Sequence, residues 1–70
     1  MMDRSRWTVI IAEMLSDGLV LGCTTDSIYR MIVTEIIRAW SGDQMSDDDM
    51  RLLVRYTRTI CDIAKEGQRS

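Results

Sequence analysis

Residues 27–41 read Ser27-Ile28-Tyr29-Arg30-Met31-Ile32-Val33-Thr34-Glu35-Ile36-Ile37-Arg38-Ala39-Trp40-Ser41. The stretch is rich in β-branched residues, which favour strands, and "IYRMIV" by itself would serve as one. Its apolar positions keep a different period. Ile28, Tyr29, Ile32, Val33, Ile36, Ile37 and Trp40 recur at steps of three and four. At about 100° per residue they fill an arc of roughly 180°. Ser27, Arg30, Thr34, Arg38 and Ser41 fill the other side. That periodicity runs on for too many residues to be a strand, so a helix is expected from Asp26 to Ser41.

The flanking segments have the same period. Trp7, Ile10, Ile11, Met14 and Leu15 share one face of a helix expected over Asp3 to Asp17, capped by Asp3 or Ser5 and ended at Gly18. The connector Leu19-Val20-Leu21-Gly22 is too apolar for a free loop and is expected to fold back onto the core. A third helix is expected over Ser46 to Glu66. Ser46 caps it, and Asp49 three residues on completes a capping box. Asp47, Asp48 and Asp49 favour the positive end of the helix dipole. Met45 and Met50 stand at the spacing of a hydrophobic staple, and Gly67 is the expected stop. Its arc joins Met50, Leu53, Val54, Ile60, Cys61 and Ala64 to Leu52, Tyr56 and Ile63, roughly 200° in all. With no proline in 70 residues and glycines confined between apolar segments, the chain reads as one all-α domain, a small three-helix bundle over residues 1–70.

Composition removes several chemistries. Histidine is absent, which takes away the commonest general base, the Ser-His and Cys-His pairs and most zinc sites. Cys23 and Cys61 make no metal motif. No phosphate-binding glycine loop occurs. No enzyme activity, metal or cofactor is expected. The initial segment lacks the features of a secretory signal, so reduced cysteines and a cytoplasmic location are expected. No apolar run is long enough for a membrane span.

The wide arcs carry the functional expectation. Burial is worth about 25 cal/mol per Å², and so small a bundle cannot cover every apolar flank. A homodimer through the second and third helices is expected, together with binding of another protein, as a small regulator, adaptor or inhibitor of cellular or phage origin. Ile37, Trp40, Leu52, Tyr56 and Ile63 are the expected interface residues. Arg51, Arg55 and Arg58 form a polar rim or a grip for an acidic partner. Local pairing of Asp47 with Arg51 and of Arg58 with Asp62 would soak up part of that charge. Eight of the nine basic residues are arginine, which suits bidentate contacts at interfaces.

Two local resemblances offer other functions. "IIAEML" followed by "TTDSIYRMI" is similar to the helix-turn-helix of DNA-binding repressors. That likeness implies nucleic-acid contacts from Thr24, Thr25, Ser27 and Arg30. About nine residues would separate the helices, where the motif uses three or four, and the net charge of −2 disfavours nucleic acid. Asp26-Ser27-Ile28 resembles the Asp-Ser-Leu of phosphopantetheine carrier proteins, which implies modification of Ser27. Carriers place a longer loop before that serine. Otherwise Thr25 or Asp26 caps the helix.

Overall fold

The computed structural model describes residues 4–68. Asp3, expected as a cap, lies outside them. Three helices follow one another: α1 (Arg4–Val20), α2 (Thr25–Ser41) and α3 (Asp47–Gln68). They run up, down and up in a rod 39 × 18 × 17 Å. Arg4 of α1 meets Asp49 at the start of α3, as parallel first and third helices require. α2 packs more extensively on α3 than α1 does on either.

The core is a set of columns. α2 contributes Ile28, Ile32 and Ile36, all fully buried one turn apart, with Thr25 and Ala39 at the ends. α1 supplies Trp7 and Ile11, and α3 supplies Leu53, Thr57 and Cys61. Each fully buried Ile or Leu contributes roughly 1.5–3 kcal/mol relative to exposure. Thr57 is polar yet fully buried, because its hydroxyl donates to the Leu53 carbonyl at 2.7 Å. Its place between Leu53 and Cys61, four residues from each, was the available sign that it belongs to the core. The Trp7 indole N–H is buried without an acceptor. Such a group costs about 1–3 kcal/mol, which the burial of the large ring offsets.

Several ends differ from the sequence expectation. α1 does not stop at Gly18 but runs through it to Val20. Gly18 is needed for proximity: a Cβ there would lie 2.6 Å from Ile28 Cγ1 and 2.8 Å from Ile28 Cδ1. The left-handed residue is Gly22, at φ +84°. The Cys23 amide donates to Gly18 O at 2.9 Å and the Gly22 amide to Leu19 O at 3.1 Å, the two bonds of a Schellman ending. Of the connector expected to fold back, Leu19 does pack on the core, but Val20 and Leu21 are 84% and 80% exposed.

α2 is capped by Thr24, not by Thr25 or Asp26. The Thr24 Oγ1 accepts the Ser27 amide at 3.2 Å. The far end of α2 repeats the Schellman pattern. Asp43 is left-handed at φ 59°, its amide donates to Trp40 O, and the Gln44 amide donates to Ala39 O at 2.9 Å. Gly42, the residue before it, has an ordinary φ of −88°. Ser46 caps α3 as expected, its Oγ accepting the Asp49 amide at 3.2 Å. The box is not reciprocal, since the Asp49 carboxylate turns to Arg4, 3.7 Å away. Met45 is buried and Met50 packs on the same core, which places both staple residues inside. Gly67 does not stop α3, which continues to Gln68.

Two substitutions test this account by urea denaturation. Gly18→Ala would ordinarily strengthen a helix by about 1 kcal/mol. Here the new methyl group meets fully buried Ile28, and a net loss of about 1–2 kcal/mol is expected. Asp43→Gly relieves a left-handed aspartate and should raise stability by about 0.5–1 kcal/mol.

Candidate functional site

Among the described residues, Val9, Val20, Leu21, Met31, Ile37, Trp40, Leu52 and Ile63 are large apolar side chains left exposed. The five expected interface residues are divided between two faces, one on each edge of α3. Leu52 and Tyr56 line a groove with Arg4, Ser5 and Thr8, on the edge next to α1. Ile63 lies on the same edge, eleven residues beyond Leu52 and within roughly 20° of it by helical arithmetic. Leu52 is 43% and Ile63 65% exposed, and Tyr56 is half-buried against the core. Trp40 belongs to the other edge. Its indole N–H donates to the Asp47 carboxylate at the first residue of α3. Asp47 and Leu52 stand about 140° apart around α3. Ile37 is three residues before Trp40 on the same side of α2. Both Ile37 and Trp40 are exposed, so a second, smaller apolar patch sits where α2 meets α3.

The arginines divide in the same way. Arg51 and Arg55 border the Leu52 groove together with Arg4 and Asp48. Arg58 lies instead in a cleft on the α2 side, with Asp26, Tyr29, Cys61, Asp62 and Lys65. The expected local pairs do not form. Among the described residues the ion pairs are Arg4–Asp49 and Glu35–Arg38, and Asp47 is engaged by Trp40. The charges of Arg51, Arg55, Asp62 and Glu66 therefore face outward, free of ion pairs within the described residues.

Of the four residues in the nucleic-acid reading, Thr25 is buried, and Thr24 and Ser27 are tied to each other in the α2 cap. Arg30 is exposed beside Met14 and Met31. Residues 21–24 alone join α1 to α2, not the nine expected, because α1 continues through Gly18. Ser27, the carrier candidate, is exposed in the first turn of α2. The short connection increases its departure from the carrier pattern, in which a long loop precedes the serine.

Cys23 and Cys61 are both free thiols, the first half-buried and the second buried. Burial above all, then the Asp62 and Asp26 carboxylates, pushes the Cys61 thiol above its ordinary value of 9.0. Among the described residues no cluster of three or more His, Cys, Asp or Glu side chains is placed to hold a metal ion. No helix among them is long and apolar enough to cross a membrane. Compared with known protein families, with characterised proteins and with solved structures, the chain matches none.

The folded chain holds the Cys61 proton more tightly than the unfolded chain does. Stability contributed by the neutral thiol is complete below pH 9.0 and is lost as the pH rises through the higher folded value. Urea midpoints at pH 7.5 and pH 10 should show a smaller drop for Cys61→Ala than for the wild type. Equal drops would show that Cys61 takes no part. A thiol reagent at pH 8 should label Cys23 well before Cys61.

Proposed function

We propose that the chain is a non-enzymatic protein-binding module, a small regulator, adaptor or inhibitor that completes its core by homodimerising and engages another protein with the surface left over. The observation that carries this reading is the apolar flank on both edges of α3. A globular monomer of 8.1 kDa exposes roughly 4,500 Å² by the usual scaling. This chain exposes 5051 Å², about 550 Å² more. The rod shape sets part of that surplus. Within the exposed surface Leu52 and Ile63 lie along one line and Ile37 and Trp40 along another, arranged as patches and not as scattered single residues. Trp40 has the character of an interface anchor, a large ring at the surface whose N–H is already satisfied by Asp47. Arg51 and Arg55 fit as a polar rim to the Leu52 groove.

A second reading, duplex DNA bound through α2, gains from the four-residue connection between α1 and α2. It loses Thr25 to the core. It requires retardation of a DNA duplex at low salt that weakens on Arg30→Ala.

Co-purification of the tagged chain from the cells that express it, beside an Ile37→Asp variant of unchanged circular dichroism, tests the protein-binding reading. One partner retained by the wild type and lost by the variant supports it. No partner retained, or an identical set retained by both, counts against a role for the Ile37–Trp40 patch.

A further inference from the structure

We infer that the Leu52–Tyr56–Ile63 edge of α3 is the homodimer seam, occupied by α3 of a second copy running antiparallel. The inference rests on the homodimeric reading above and assigns its face, direction and register. Leu52, Tyr56, Thr59 and Ile63 are spaced four, three and four residues apart, the repeat of a helix-pairing seam. Thr59 is exposed with its hydroxyl turned to the Arg55 carbonyl, so it adds no unsatisfied donor to the seam. Beside this line α1 presents Thr8 and, one turn on, the small exposed Ala12, which leaves room for a helix to settle between α1 and α3.

The rim charges select the direction. Arg55 and Asp62, seven residues and about 20° apart around α3, lie on the solvent side of this seam, with Asp62 also bordering the α2-side cleft; both are exposed and neither is ion-paired within the described residues. In an antiparallel pair the same flank of each helix meets its counterpart. Leu52 then faces Ile63 of the second copy, Tyr56 faces Thr59, and on the rim Arg55 comes within two residues, about 3 Å along the axis, of the level of Asp62. Two-fold symmetry makes that ion pair twice. A parallel pair would bring Arg55 against the opposite flank near Ile60, which offers no acceptor. Like-with-unlike charge at the rim of an apolar stripe sets partner and orientation. A standard interface takes about 800 Å² from each partner, roughly one sixth of the 5051 Å² exposed by this chain. The Ile37–Trp40 patch, on the other edge of α3, stays open in this dimer.

Sedimentation of the full chain provides the test. The wild type is expected at twice 8.1 kDa, that is 16.2 kDa. Arg55→Asp and Asp62→Arg, each at an exposed position and each checked by circular dichroism, put like charges across the seam. Each should weaken the dimer roughly ten-fold or more. Mixed in equal amounts, the two variants should associate again. The aspartate introduced in one then meets the arginine introduced in the other, and the native Arg55 and Asp62 also face each other. Recovery on mixing is a result that no effect within one chain produces. A wild type that is monomeric at all concentrations overturns both this assignment and the homodimeric reading. A dimer indifferent to either reversal, or variants that stay apart when mixed, overturns the seam and leaves the homodimer standing.

Discussion

Ile28 occupies the space that a side chain on residue 18 would need, and much of the bundle follows from that approach. With no Cβ on Gly18, α1 comes close enough to α2 for the Ile28–Ile32–Ile36 column to close against Ile11 and Leu53. A helix that must pass Gly18 to make this contact cannot also end there. It ends two residues later at Val20, and Gly22 beyond it takes the left-handed conformation that lets the Cys23 amide reach back to Gly18. The connection to α2 is shortened to residues 21–24, and Thr24 is delivered to the cap position.

The periods of the sequence were enough to identify three helices and their core faces. Where a residue type has two uses, the sequence could not say which one applied. A glycine after an apolar run marks either a stop or a close approach. Gly18 is the second, Gly22 the first, and nothing local to either separates them. Asp43 carries the left-handed turn after α2 although glycine stands beside it at residue 42, since aspartate tolerates that region. Thr24, Thr25 and Asp26 are all acceptable caps, and only the helix start decides among them. Ser46 was clearer because a staple and an acidic turn accompany it.

The surplus of apolar surface was legible as a quantity and not as a shape. Arcs of roughly 180° and 200° show that apolar surface exceeds what a small bundle covers, but not on which side the excess falls. That depends on where the neighbouring helices sit. α1 takes its place over one edge of α3, half covering Tyr56 and leaving Leu52 and Ile63 in view. α2 takes the other edge, and its own Trp40 becomes the corner piece against Asp47. Five residues that read as one interface are thereby assigned to two. The arginines follow their neighbours, with Arg51 and Arg55 on one side and Arg58 on the other.

The division of the apolar surface matters for the two contacts proposed for this chain. A single patch would force self-association and partner binding to compete, since each would cover the same side chains. Two patches on different edges of α3 would not compete. They are linked all the same, because Trp40 is fixed by Asp47, and Asp47 begins the same helix that carries Leu52 and Ile63. The start of α3 is held by the Ser46 cap, by buried Met45 and by the Arg4–Asp49 pair. Both surfaces therefore depend on one well-anchored helix terminus. Any loosening there would disturb the Trp40 corner directly, and the Leu52 groove through Arg4.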